Sequence, residues 1–218
     1  MNEYPISFHG AELVATASGA LWWADQRLLC VSDLHLGKSE RMARIGGALL
    51  PPYENQETLG RLQADMTRYN PQTVICLGDS FDDLRAADHL DADSSRTLLA
   101  LMAGREWVWI EGNHDPGPMG FGGTHMRELD RAPLIFRHIA QPPAQGEISG
   151  HYHPKKRITG RGRSIQRPCF LIDDSRIILP AYGAYTGGLD CEAPGLASLF
   201  GPNALAILVG KSIAAVPA

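Results

Sequence analysis

Cysteine is scarce in this chain and poorly spaced for a framework. Cys30, Cys76, Cys169 and Cys191 lie far apart with no C-x-x-C pair, which argues against both a zinc ribbon and a disulfide scaffold. Cys30 and Cys76 sit inside apolar, strand-like runs, the setting of buried reduced thiols, so a cytoplasmic location is expected. No apolar stretch approaches the roughly 18 residues of a membrane span. The opening Met-Asn-Glu-Tyr-Pro carries an acid and a proline and no apolar h-region, so no signal peptide is expected. Repeats, low-complexity tracts and long linkers are also missing, and one domain over residues 1–218 is the expectation. There is no excess of positive charge either. The 20 Lys and Arg stand against 24 Asp and Glu, a net of −4 that by itself points to no nucleic-acid partner.

What the chain does have is 44% apolar residues over 218 positions, enough for a large core. Residues 12–16, 20–23 and 27–31 read as short strands separated by Ser18-Gly19 and Asp25-Gln26, a meander. Leu59, Leu62, Met66 and Tyr69 recur at helical spacing, predicting a helix over about 53–69 that follows Pro51-Pro52 and closes at Asn70-Pro71. Residues 73–77 look like a doubly buried strand. A helix over 94–103 and strands over 107–110, 134–137 and 147–149 follow. Further strands are expected within about 164–179 and over 204–209. Strands alternating with helices, then a β-rich tail, argue for an α/β layered fold with largely buried sheets.

Chemistry-bearing residues gather where those runs end. Asp33-x-His35, Gly78-Asp79-x-x-Asp82, Gly112-Asn113-His114-Asp115, His138 and Gly150-His151-x-His153 each follow a strand-like segment. Sites in open α/β sheets form at the carboxyl ends of strands, so the five clusters can converge on one crevice. Together they offer carboxylate or amide oxygens and imidazoles in the number that two adjacent divalent metals need. Metal-assisted hydrolysis is the chemistry they point to.

In this order the five clusters resemble the sequence blocks of the calcineurin-like metallophosphoesterases: D-x-H, G-D-x-x-D/H, G-N-H-D/E, a lone His and G-H-x-H. The resemblance implies two packed mixed β-sheets flanked by helices, a four-layer sandwich. It implies one metal on Asp33, His35, Asp79 and His153, and another on Asp79, Asn113, His138 and His151, with Asp79 shared. Two cations about 3.5–4 Å apart would activate water and stabilise charge on phosphoryl oxygens. His114 would stabilise or protonate the leaving oxygen, with Asp115 orienting its ring. The stretches Leu49-Leu50-Pro51-Pro52-Tyr53, Trp107-Val108-Trp109-Ile110, Leu134-Ile135-Phe136-Arg137-His138 and Ala184-Tyr185-Thr186-Gly187-Gly188-Leu189-Asp190 look like the bacterial ligase-associated DNA damage response endonucleases. That narrower resemblance implies manganese-dependent cleavage of DNA phosphodiesters in repair, beside a DNA ligase and a helicase. Iron and zinc would also accept these ligands.

Two features bear on the substrate in opposite directions. Nuclease-type members often carry His at the last position of the second block, where it touches a phosphate oxygen; here it is Asp82, followed by Asp83. A carboxylate there repels a diester unless it is protonated or turned to a metal-bound His, which leaves room for a phosphomonoesterase or small-nucleotide phosphohydrolase. Against this, Lys155, Lys156, Arg157, Arg161, Arg163 and Arg167 follow His153, with no acid among residues 154–167. Without these six, only 14 basic residues would face the 24 acids. A cationic strip of this kind steers single-stranded or structured DNA toward a cleft, although it also describes a solvated β-hairpin. Tyr182 and Tyr185 are of a type that stacks on bases but fit core filling better. Gly210-Lys211-Ser212 matches the end of a P-loop, but Leu205 stands where the first glycine is required, and the motif is rejected.

Overall fold

The computed structural model describes residues 2–47, 49–118, 120–160 and 162–218. It opens with a four-strand antiparallel run: β1 (Glu3–Phe8), β2 (Ala11–Thr16), β3 (Leu21–Trp23) and β4 (Leu28–Val31). The last three match the expected meander to within a residue. Strand β1 was not foreseen. Its Pro5 removes a ladder donor, which an edge strand tolerates, and β1 is the edge of its sheet.

From β4 the sheet turns parallel through β5 (Thr73–Leu77), β6 (Glu106–Ile110) and β7 (Thr124–Met126), giving the order β1-β2-β3-β4-β5-β6-β7. Parallel neighbours need crossovers. The first is made by α1 (Lys38–Arg44) and α2 (Glu54–Tyr69), the second by α3 (Leu84–Asp88) and α4 (Ala92–Met102). Helix α2 buries Leu59, Leu62 and Met66 and stops at Asn70, whose φ of 44° is left-handed, just before Pro71. Helix α4 starts earlier than expected because the Asp91 carboxylate accepts from the backbone N–H of Asp93 and Ser94.

The second sheet combines β8 (Glu128–Arg131), β9 (Leu134–Arg137), β10 (Glu147–Ser149), β12 (Arg163–Ile172), β13 (Arg176–Ile178), β14 (Leu205–Leu208) and β15 (Ala214–Pro217) in the order β15-β14-β12-β13-β10-β9-β8. Strand β11 (Lys155–Gly160) pairs with β12, forming a long antiparallel hairpin. The short pairs β9–β10 and β10–β13 are parallel and the rest antiparallel.

Period-two alternation gives the central strands two apolar faces. Leu28, Cys30, Ile75 and Leu77 face Phe136, Ile148, Phe170 and Ile177 of the other sheet, while Leu29, Val31, Val74 and Cys76 pack under α2 and α4. The outer face of the second sheet, with Leu171, Ile178 and Leu208, is covered by Cys191 and by Leu196 of the short α5 (Pro194–Ala197). The result is an α/β sandwich of two mixed sheets flanked by helices. All four cysteines are free and buried, and two that are distant in sequence meet there, Cys169 Sγ lying 3.5 Å from Cys191 Sγ. Among the described residues, no helix is long and apolar enough to cross a membrane.

Strand β12 supplies a test within one element. Phe170 is fully buried between the sheets, whereas Ile165 is 56% exposed. Phe170→Ala is expected to lower unfolding free energy by ~3–5 kcal/mol, and Ile165→Ala by no more than about 0.5 kcal/mol. Urea denaturation checks this; equal losses at the two positions would contradict the assigned faces.

Candidate metal centre

Strands β4, β5 and β6 end side by side, and each releases a loop at its carboxyl end: Asp33 and His35 after β4, Asp79 after β5, Asn113 and His114 after β6. From the second sheet, β9 leads to His138 and β10 to His151 and His153. The loops after β4 and β5 are hydrogen-bonded to each other. Asp33 N donates to Gly78 O (3.3 Å), His35 N to Asp79 O (2.9 Å), Leu36 N to Ser80 O (3.0 Å), and Asp82 N to Leu36 O (3.0 Å). On the other sheet, Gly150 N donates to His138 O at 3.0 Å.

This crowding explains two of the motif glycines. A Cβ on Gly150 would fall 1.8 Å from Ser32 Oγ and 2.7 Å from Asp33 Oδ2; one on Gly112 would fall 2.2 Å from Asp79 N. The candidate ligand residues are themselves bent. Asp33, His35, Asp79, His151 and His153 all have φ between 44° and 71°, the left-handed region that non-glycine residues seldom enter.

Asp33, His35 and His153 each place one potential ligand atom within 4.8 Å of the others, and Asp79, His138 and His151 do the same. In the first group, Asp33 Oδ2 accepts from Ser32 Oγ and from His151 N (3.0 Å), while Asp33 Oδ1 is buried with no hydrogen-bond partner, 3.2 Å from His153 Nε2. His35 Nε2 is likewise buried and unpartnered. Its Nδ1 lies 2.8 Å from Asp82 Oδ1 and must donate to that carboxylate, so Nε2 carries the lone pair. In the second group, His138 Nε2 lies 3.1 Å from Asn113 Oδ1, 3.3 Å from His151 Nδ1 and 3.4 Å from Asp79 Oδ2. His138 Nδ1 donates to Leu77 O at 2.8 Å, so the neutral ring also turns a lone pair toward these acceptors.

Acceptors that face one another need a cation or a proton between them. With protons alone, burial works against charge on His138, but the Asp79 hydrogen bond and the Asp33 and Asp79 charges raise its pKa to about 9. Asp79 falls to about 2 against its own burial, held down by His138 and the His114 backbone N–H. Mixed oxygen and imidazole donors, two of them orphaned in the interior, fit divalent cations of the Mn, Fe and Zn type.

Of the two acids expected beside the ligands, Asp82 is turned to a candidate ligand histidine, and Asp115 does not orient the His114 ring. The side chain of Asp82 is 1% exposed and is claimed by His35 Nδ1, Arg41 Nη1 (2.9 Å) and Lys38 Nζ (3.5 Å). Burial alone would raise its pKa, yet the His35 hydrogen bond and the Lys38 and Arg41 partners hold it well below the usual carboxylate range. It therefore orients a candidate ligand. Asp115, expected to orient the His114 ring, instead accepts from the backbone N–H of Asp79, Ser80, Phe81 and Gly112 at 2.7–3.1 Å. It clamps two ligand loops together, and burial beside Asp79 pushes its pKa up to about 6. The His114 ring takes its bearing from the Asp82 carbonyl, 2.8 Å from Nδ1. Sequence reasoning missed Lys38 and Arg41, which precede Asp82 by some 40 positions.

The basic strip is the β11–β12 hairpin, and much of it is already paired. Lys156 meets Glu192 at 3.0 Å, Arg157 meets Asp190 at 3.7 Å, Lys155 donates to Thr186 O, and Arg167 donates to Val209 O and Ser212 O. Arg163 is exposed, and Arg161 lies outside the described residues. The remaining histidines stand apart from the centre: His9 pairs with Asp174 O and His89 with Arg85 O, while His125 stacks near Trp109. Tyr182 is fully buried against Asp65, as core filling requires. Beside Asn113 and His138 opens a cleft of about 490 Å³, bordered by Arg127, Arg137 and Gln141.

Comparison with known proteins places this arrangement. The crystal structure of the Pseudomonas putida nuclease MPE is similar to the chain at 27% identity, covering 99% of this chain and 100% of that one with a TM-score of 0.75. No curated protein matches. Residues 26–183, which span every ligand cluster, match the calcineurin-like phosphoesterase family. The chain belongs to the calcineurin-like phosphoesterases and is a metal-dependent phosphoester hydrolase.

Proposed function

We propose that this hydrolase is a phosphodiesterase that cuts DNA internally, using two divalent metals, manganese foremost. The observation that carries this reading is the convergence of seven oxygen and nitrogen donors from five loops at strand ends of both sheets, with Asp33 Oδ1 and His35 Nε2 buried and unpartnered. Asp33, His35, Asp79 and His153 would hold one cation, and Asp79, Asn113, His138 and His151 the other. When bound, such cations activate water and stabilise charge on the phosphoryl oxygens.

The chain's own residues do the rest. Because a carbonyl only accepts, the bond from His114 Nδ1 to Asp82 O fixes the proton on Nδ1. Nε2 is then the working end, and a proton carried there is the one given to the departing ester oxygen. The His114 backbone N–H holds Asp79 Oδ1 at 2.8 Å, tying acid and ligand into one unit. Asp82 fixes the His35 tautomer, and Asp115 fixes the spacing of the loops.

Three things support DNA over a phosphomonoester. The nuclease MPE is similar over the whole chain. Asp82 is turned to His35 and charge-compensated by Lys38 and Arg41, so it does not confront a diester. The hairpin keeps Arg163 exposed at its turn end, and the narrower resemblance to repair endonucleases fits a cytoplasmic system with a DNA ligase and a helicase.

Manganese-loaded protein is expected to linearise and degrade circular single-stranded DNA, and to hydrolyse a bis-aryl phosphate in preference to a mono-aryl phosphate. Turnover of the monoester alone would sink the diesterase reading. His114→Ala is expected to lower kcat by ~10²–10⁴-fold with metal content, read by elemental analysis, unchanged. Unaltered kcat would remove its role as acid. Manganese uptake at pH 7 should also displace about one proton from His138, whose pKa of about 9 keeps it cationic until a metal replaces the proton. Calorimetry in buffers of different ionisation enthalpy measures this, and heats independent of buffer would contradict it.

A further inference from the structure

Helix α1 brings a second set of charges to the centre. Its first residue, Lys38, and its fourth, Arg41, both reach Asp82, which in turn holds His35. Their side chains are 22% and 30% exposed, against 1% for Asp82, so the two cations stand between a buried carboxylate and solvent. The helix is fixed in this pose. Gly37, at φ 77°, passes so close to Ala86 that a Cβ would fall 2.7 Å from its Cβ, and the buried Glu54 accepts from Ser39 N at 2.9 Å.

The two cations are differently engaged. Arg41 donates to Asp82 Oδ2 at 2.9 Å and lies 3.6 Å from Asp83. Lys38 Nζ makes no hydrogen bond among the described residues, and its charged neighbour is Asp82 Oδ1 at 3.5 Å. An ammonium with three protons, partly sheltered and without a bonded acceptor, is placed to take one. His114 lies alongside: its ring centroid is 5.2 Å from that of His35, and one of its nitrogens is within 4.8 Å of both His35 and Asp82 ligand atoms.

We propose that Lys38 and Arg41 form the phosphate-receiving edge of the active site, Arg41 neutralising Asp82 while Lys38 donates to a non-bridging oxygen of the phosphoester being hydrolysed. The assignment rests on phosphoester hydrolysis at this centre and does not depend on the ester being DNA. Charge compensation also explains why a carboxylate is tolerated at position 82. Bonded to His35 and Arg41, it has little free charge to present to an anion.

The test uses full-length, manganese-loaded protein and whichever of a bis-aryl and a mono-aryl phosphate the wild type turns over faster. The same protein is titrated calorimetrically with inorganic phosphate. Lys38→Ala is expected to raise KM about tenfold or more, with kcat within about threefold, as loss of a charged hydrogen bond to bound substrate predicts. Phosphate affinity should fall by a similar factor, and metal content should not change. Lys38→Arg should recover most of the loss. Arg41→Ala should also raise KM, and much less so in an Asp82→Asn background, where there is no charge left to neutralise. KM and phosphate affinity within about twofold of wild type in Lys38→Ala would overturn the proposal. So would a loss confined to kcat and accompanied by lost metal. Preference for the mono-aryl ester would count against DNA as substrate while leaving this test intact.

Discussion

The sideways pairing of the loops that follow β4 and β5 is the constraint on which the metal centre rests. Parallel strands end at the same edge, but ending together does not align side chains beyond the ends. Here the ladder continues past both strands through Asp33 N to Gly78 O, His35 N to Asp79 O and Leu36 N to Ser80 O. It holds Asp33, His35 and Asp79 in one register while bending each into the left-handed region. Such conformations cost of order 1–3 kcal/mol per non-glycine residue, and the surroundings offset this. Tyr182 N and Gly183 N donate to Ser32 O and Asp33 O from one side, and the Asp115 carboxylate gathers four backbone donors from the other.

That rigidity concentrates acceptors to an extent the interior would not otherwise tolerate. Buried carboxylates and lone pairs left facing one another cost several kcal/mol unless a positive charge enters. His138 answers by holding a proton well above its ordinary range, and a divalent cation would answer more completely by taking ligands from both sheets at once. The two sheets thus meet in two ways: through the apolar layer of Leu28, Ile75, Phe136 and Phe170, and through the ligands at its edge.

How much of this was legible in the sequence depended on the range of the interaction involved. Strands β4, β5 and β6 were legible because a run such as Thr73–Leu77, apolar on both faces and bounded by turns, has few other uses. The ligand clusters were legible because each is compact and follows such a run. Helix α1 was not, since seven residues rich in charge carry no apolar stripe and the helix is held by Glu54 and by Gly37 against Ala86. Asp115 was misjudged for a similar reason: adjacency to His114 suggested contact with the ring, whereas its partners are mainly backbone N–H groups at 79–81. The strip at 155–167 looked unpaired because Asp190 and Glu192, which answer Arg157 and Lys156, lie more than thirty positions away.

Two opposed clues about substrate therefore shrink together. Asp82 looked like a negative charge set against a phosphate, and the hairpin looked like a positive track drawing one in. Each is largely neutralised by partners remote in sequence: Asp82 by Lys38, Arg41 and His35, and the hairpin by Asp190, Glu192 and backbone carbonyls. Charge read by residue type overstates both, because a field acting on a ligand is summed after pairing and is strongest where a cation lacks a bonded acceptor. By that measure the run of six basic residues contributes less than its count suggests, and Lys38 on α1, paired with Asp82 at 3.5 Å but not hydrogen-bonded to it, keeps its protons free for an anion. The hairpin then acts at longer range, where Arg163 remains open to solvent and where salt screens its pull.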